Sequence, residues 1–214
     1  MYIFQPNRIL LDEQVKKYSG YIKGRVLDVG VGGFSRYTRF FHCQEYIKMD
    51  VQSGKNIDVV GQAENIPFKA ATVDSVICTQ VLGDIKNPIQ AIKEFYRVLK
   101  PGGTVLLTES FFNEMHDEPN DFWRFTKFGL EYLFQEAGFK IIAINQRGGF
   151  FSVQAQSSIR YLINRFNLYS HSWARIFNPI FKIYSKLMFF LDKLDKSQAN
   201  RRFALGWCVL AQKQ

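Results

Sequence analysis

One stretch, Arg25-Val26-Leu27-Asp28-Val29-Gly30-Val31-Gly32-Gly33-Phe34-Ser35, restricts this chain more than any other. An apolar run enters Asp28 and a glycine cluster follows at once. This is the pattern of a buried parallel strand that ends in a tight turn beneath a ligand. Glycine lacks Cβ, accepts positive φ and lets backbone N–H groups approach a bound molecule, while a following helix aims its positive N-terminus at the same point. The turn therefore predicts an open α/β sheet with a ligand at the carboxyl ends of its strands.

Two ligand classes use such a turn. A dinucleotide fingerprint needs Gly-x-Gly-x-x-Gly, and Ser35 stands where its third glycine belongs. The arrangement Asp28-x-Gly30-x-Gly32-Gly33 instead resembles motif I of the class I methyltransferases that use S-adenosyl-L-methionine. The resemblance implies that Asp28 lies near the amino group of the methionine moiety and that Gly30 and Gly32 accommodate its amino-acid and ribose portion.

Later segments fall in the same family order. Leu10, Leu11, Val15 and Tyr18 have helical spacing and predict a short amphipathic helix ending at Ser19-Gly20. After the first strand and its helix, Glu45–Asp50 reads as a second strand. It ends in an acid 20 residues past Gly30, the separation at which α/β folds present a carboxylate to ribose hydroxyls. A short third strand, 57–60, leads to Ala63-Glu64-Asn65-Ile66-Pro67-Phe68, which looks like the family's adenine-contacting segment and implicates Ala63 and Glu64. The fourth strand, 72–80, carries Thr79 and Gln80 to the ligand edge, and Gly83-Asp84 follows where relatives often carry Glu-His. Asn87-Pro88 starts a helix, and Arg97-Val98-Leu99-Lys100-Pro101-Gly102-Gly103 resembles the family's turn into its fifth strand.

Past that strand, His116-Asp117-Glu118-Pro119-Asn120-Asp121-Phe122-Trp123-Arg124-Phe125-Thr126 crowds polar, acidic and aromatic groups at the ligand edge. His116 is read here as a base that Asp117 orients, and Arg124 as a binder of an anionic substrate group. Thr126 caps a helix over 127–137 that ends at Gly138. A sixth strand covers 140–145 and a seventh 203–211, with some fifty-five residues between them. Within this insertion, Asn178 is expected to cap a helix. Phe177, Ile180, Phe181, Tyr184, Leu187, Met188 and Leu191 trace its apolar face, opposite Lys182, Lys186, Lys193 and Lys196, with Phe189 among the lysines. A lid and an interfacial helix both fit that pattern.

Charge sharpens the partner question. Residues 1–150 hold 18 Lys and Arg against 17 Asp and Glu, whereas residues 151–214 hold 10 against 2. The positive field belongs to the C-terminal third and suits an anionic partner. Three distant cysteines, Cys43, Cys78 and Cys208, suit a reducing compartment and no disulfide framework. The first residues lack the basic start and apolar run of a signal peptide.

The combined expectation is an α/β, Rossmann-like, seven-stranded, mostly parallel sheet with an antiparallel last strand, flanked by helices. Residues 1–214 form a single methyltransferase domain, with a helical insertion over 151–200 before the last strand. The expected activity is S-adenosyl-L-methionine-dependent methyl transfer to a small-molecule or glycan-type acceptor, read as O-methylation. The cofactor set is Asp28, Gly30, Gly32, Asp50, Ala63, Glu64, Thr79 and Gln80, and the catalytic set is His116, Asp117 and Arg124. RNA methylation and a noncatalytic protein retaining the cofactor fold stay open beside it. The expected location is cytoplasmic, with peripheral contact at an anionic membrane surface through 151–214, and nucleic acid ranks below that partner.

Overall fold

The computed structural model describes residues 3–32 and 36–214; Gly33 and Ser35, on which the two turn fingerprints differ, lie outside the described residues. The chain divides into a sheet unit of residues 14–111, 115–145 and 207–214 and a helical unit of residues 1–13, 112–114 and 146–206.

In the sheet unit, strands β1 (Arg25–Val29), β2 (Glu45–Asp50), β3 (Val59–Val60), β4 (Val73–Thr79), β5 (Leu99–Ser110), β6 (Phe139–Arg147) and β7 (Gly206–Lys213) form one sheet in the order β3-β2-β1-β4-β5-β7-β6. Pairing is parallel from β3 across to β5, and β7 enters between β5 and β6 as the antiparallel strand. Val26, Leu27 and Val29 of β1 and Val76, Ile77 and Cys78 of β4 are fully buried, as central strands covered on both faces must be. Strand order reverses between β1 and β4, so their carboxyl ends open a crevice that no crossover fills.

Helix α2 (Pro88–Val98) begins where expected: the Asn87 side chain accepts from Gln90 N–H at 3.3 Å, with proline at the first turn. Helix α3 (Lys127–Glu136) is capped by Thr126, which accepts from Gly129 N–H at 3.0 Å, and is followed by Gly138 at φ 91°. Ala91, Ile92, Phe95 and Val98 of α2 and Leu130 and Phe134 of α3 enter the core against the sheet.

Two expectations change here. Between β1 and β2 the described residues hold only a 3-10 turn, Thr38–Phe40, in place of the helix expected to point at the ligand. Tyr37, Thr38, Phe40, Phe41 and His42 are poor helix formers with no amphipathic period to offset this. The Pro-Gly-Gly turn does not precede β5 but lies inside it. Val73 pairs with Leu99 and Ser75 with Thr104, so Lys100–Gly103 bulge from the ladder, with Gly102 at φ 77°.

The helical unit holds the first turns of α1 (Pro6–Tyr18), then α4 (Phe150–Arg165), α5 (Asn178–Leu194) and the short α6 (Gln198–Arg201). Ile3, Phe4, Ile159, Ile163, Leu168, Ala174 and Phe181 form its core. Helix α4 starts at Gly149, which offers no side-chain cap. Asp192 of α5 supplies one: its carboxylate accepts from the N–H groups of Gly149 (2.9 Å), Phe151 (3.1 Å) and Ser152 (2.9 Å) and from the Ser152 hydroxyl. Asn200 Oδ1 accepts from Phe150 N–H at 2.7 Å. The orphan donors and positive end of α4 are thereby satisfied by an anion from another helix.

This interaction sets the rotation of α5 and corrects the expected face. Its buried line runs through Phe181 and Ser185 toward Asp192, which turns Ile180 and Leu187 to solvent. Phe189 is half-buried and Phe190 is the exposed aromatic. Asn178 is not the cap of α5. It is the first helical residue, and its side chain accepts from Phe4 N–H at 2.8 Å. Replacing Asp192 by Ala is expected to cost about 2 kcal/mol, the scale of several charge-assisted bonds to one helix end. Hydrogen exchange of the first α4 amides should quicken roughly thirtyfold; unchanged protection would contradict the capping role.

Candidate functional site

The crevice at the carboxyl ends of β1, β2 and β4 is a cavity of about 580 Å³, within the range of ordinary ligand sites. Gly30, Gly32, Asp50, Ala63, Glu64, Thr79 and Gln80 all lie in its wall. Asp28 does not. It is buried, and its carboxylate accepts from the Tyr46 hydroxyl at 2.6 Å.

Each wall segment has a local cause. Gly30 sits at φ 78°, and a Cβ there would come within 2.4 Å of Val81, so only glycine lets the β1 and β4 loops meet. Gly32, at φ 64°, is different: a Cβ placed on it would meet no atom within 4 Å, so this face of the turn is open to a ligand. Its N–H donates to Asp50 Oδ2 at 2.8 Å, tying the glycine turn to the acid that ends β2. The Ala63–Phe68 loop is clamped from α2. The Glu94 carboxylate accepts from Ile66 N–H at 2.9 Å and pairs with Arg97, whose guanidinium donates to the carbonyls of Phe68 (2.7 Å) and Ile66 (2.9 Å). This pairing holds the Glu94 carboxyl below its ordinary range.

A buried acid that no sequence motif marks builds the β4 loop. Glu109, near the end of β5, accepts from the N–H groups of Val81 (2.9 Å), Leu82 (2.6 Å) and Ser110 (3.2 Å). It shapes the chain next to Gln80, whose φ of 59° is left-handed. Burial pushes the Glu109 carboxyl from 4.5 up to about 7, against the pull of those N–H groups. A raised folded value means that the folded state binds more protons than the unfolded between 4.5 and 7, so this group's contribution to stability is lost as pH rises through that window. Glu109→Gln is expected to fold and to flatten the pH dependence of the unfolding midpoint there. Parallel wild-type and variant profiles would contradict it.

The 115–126 loop is pinned to the same end of the sheet. Phe122 and Trp123 N–H both donate to the Gly83 carbonyl at 3.0 Å, and Trp123 Nε1 donates to the Ile85 carbonyl at 3.0 Å. Asp117, Asn120 and Phe122 enter the cavity wall, as does Asp84. The expected partner of His116 changes: its Nδ1 lies 3.4 Å from Asp121 and 3.3 Å from Arg124 Nη2, and Asp121 rather than Asp117 positions the ring. Arg124 is likewise committed within the loop. Its guanidinium forks onto both oxygens of Asp121, with Nη2 to Oδ2 at 2.7 Å, and Nη1 donates to the Trp123 carbonyl at 3.0 Å. An acid three residues earlier in the same loop meets that fork before any external anion does. The fork also holds the Asp121 carboxyl at about 2.

Asp84 is the loose acid of the group. Ligand-capable atoms of Asp84, His116 and Asp121 lie within 4.8 Å of one another. Burial raises the Asp84 carboxyl above its ordinary value; His116 pulls it down, Asp117 and Asp121 push it up, and Arg124 pulls it down. The sequence signal was present in the Gly83-Asp84 departure, but its neighbours come from a loop over thirty residues later.

Residues 27–107 match the family model described as a methyltransferase domain. An uncharacterised protein of Methanocaldococcus jannaschii is 28% identical over 162 residues, 67% of this chain and 78% of that one. The ubiquinone/menaquinone biosynthesis C-methyltransferase UbiE of Haemophilus ducreyi is 32% identical over 133 residues, 52% of this chain, so the chain spans about half (51%) of that relative. Among solved structures, the [4+2]-cyclase SpnF superimposes with a TM-score of 0.62 at 20% identity, over 97% of this chain and 80% of that one. A phosphoethanolamine N-methyltransferase 2 of Haemonchus contortus, in complex with phosphomonomethylethanolamine and S-adenosylhomocysteine, gives 0.55 at 19% identity over 95% and 52%.

Proposed function

We propose, on the premise that residues 27–107 are an S-adenosyl-L-methionine-dependent methyltransferase domain, that the cleft aligns a small-molecule acceptor and removes one acceptor proton through Asp84. The wall suits the cofactor. Gly32 leaves open space, Asp50 ends β2 half-exposed, where we assign the ribose hydroxyls, and Ala63 and Glu64 line the same cavity, where we assign the base. We assign Gly30, Gly32, Asp50, Ala63, Glu64, Thr79 and Gln80 to this binding and give Asp28 a positioning part.

The bound cofactor supplies a methyl group on a sulfonium already activated for in-line displacement. What the chain adds is alignment, exclusion of water and a destination for the acceptor's proton. The observation that carries the reading is Asp84: a half-buried carboxyl group in the cavity wall, adjoining His116 and raised by burial above its ordinary value. His116 is a positioning residue, held by Asp121 and Arg124, and Asp117 borders the acceptor.

A hydroxyl acceptor, small-molecule or glycan, must lose its proton as the bond forms, and Asp84 answers that need. A carbon acceptor is the second reading, favoured by the 32% identity to a C-methyltransferase. Its proton leaves after the bond forms and would use the same acid. Labelled methyl groups traced into product by NMR separate oxygen from carbon.

Asp84→Asn is expected to lower kcat roughly a hundredfold to ten-thousandfold while cofactor binding persists. His116→Gln removes the side chain that draws the Asp84 carboxyl down, so the acid limb of the pH–rate profile should move to higher pH. An unmoved limb in His116→Gln, or full turnover in Asp84→Asn, would refute the assignment.

A further inference from the structure

The exposed side of α5 carries a continuous apolar line. Ile176, in the turn before the helix, and Ile180, Ile183, Leu187, Phe190 and Leu194 recur at steps of four, three, four, three and four residues. Each is 54–70% exposed, so none contributes to the core. At 1.5 Å per residue the line from Ile180 to Leu194 runs about 21 Å along one side of the helix. A patch of this extent on a folded surface marks a place of contact.

Charge decides the occupant. At 100° per residue, exposed Lys182, Lys186 and Lys193 all fall on one flank of the line, while Tyr184 and Leu191 lie on the other. The only acid in α5 is Asp192, which is turned inward to cap α4. The outward half of the helix is therefore apolar and cationic, with no carboxylate. Just past its C-terminal end, Lys193, Lys196 and Arg201 line a recess of about 370 Å³ together with Asp192 and Asp195, so three cations face two carboxylates there.

The three-four spacing is also that of a coiled-coil seam, so a second copy must be weighed. Two such helices side by side would set Lys186 and Lys193 against Tyr184 and Leu191 when parallel, or lysine against lysine when antiparallel. Neither pairing offers an opposite charge. An anionic surface does. No described helix is long and apolar enough to cross a membrane, which leaves a helix lying in the interface plane.

We propose that α5 seats on an anionic phospholipid surface, with the Ile180–Leu194 line at the boundary of headgroups and acyl chains and the flanking lysines on lipid phosphates. Lysine and arginine stems can bury their methylenes there while their charges stay with the headgroups. Each such cation strengthens attachment by roughly fivefold near a negative leaflet.

The test is sedimentation of the full chain with phosphatidylcholine vesicles, with and without phosphatidylserine, beside the double variant Ile183→Glu/Phe190→Glu and the charge variant Lys186→Glu/Lys193→Glu. Both residues of the first pair are exposed, so folding is expected to survive, and circular dichroism checks it. Phe128→Glu, on the exposed side of α3 in the sheet unit, serves as control. The wild-type and control proteins should sediment with anionic vesicles only, and each double variant should lose at least tenfold in partitioning. Absence of wild-type sedimentation, equal partitioning of the variants, or binding indifferent to phosphatidylserine would overturn the proposal. So would a dimer in analytical ultracentrifugation that Ile183→Glu/Phe190→Glu dissolves, which would assign the line to a second copy.

Discussion

The reversal of strand order between β1 and β4 is the constraint on which the rest of the sheet unit depends. Parallel strands need crossovers, and crossovers leaving in opposite directions from two neighbours expose the carboxyl ends of both. The crevice is then lined by whatever follows each strand. Gly30 follows β1 because any side chain there would strike Val81. Asp50 closes β2 and receives the Gly32 N–H, so two loops that share no sequence neighbourhood become one wall.

Buried charge holds that wall in shape. Glu109 gathers three N–H groups around the β4 loop, and Glu94 with Arg97 clamps the loop after β3. Asp121 with Arg124 does the same for the loop after β5. For Glu94 and Asp121 an arginine partner outweighs the lost hydration and favours the charged form, whereas for Glu109 burial outweighs its three N–H donors and favours the neutral acid. Asp84 differs in sitting among charges of both signs, and burial leaves it with a raised affinity for a proton, which is why chemistry is assigned to it.

Much of this is legible in the sequence where the signal is local. Glu45–Asp50 is the second strand, Asn87-Pro88 and Thr126 begin their helices, and Gly138 ends one. Motif order brings the glycine turn, Asp50, Ala63 and Gln80 to one edge. What is not legible depends on distant partners. Glu109 reads as the polar end of a strand until Val81 and Leu82 arrive from the β4 loop. Arg124 reads as a free anion binder until Asp121 folds onto it. The buried face of α5 lies part of a turn away from the one its apolar pattern suggests, because the anchor is a cap on another helix, and Ile180 and Leu187 face water as a result. The same fold also carries a cyclase, so the site, not the sheet, must argue for methyl transfer.

The most direct measurement of whether this crevice is a cofactor site of the methyl-transfer kind is calorimetric titration of the full chain with S-adenosylhomocysteine and, separately, with NAD, repeated on Gly32→Val. Gly32 borders open space but sits at φ 64°, so Val there both projects toward the ligand and strains the turn that holds it, and circular dichroism checks that the variant stays folded. The expected result is micromolar binding of S-adenosylhomocysteine, none of NAD, and at least a tenfold loss in the variant. Binding of NAD alone, binding of neither, or unchanged affinity in Gly32→Val would contradict it.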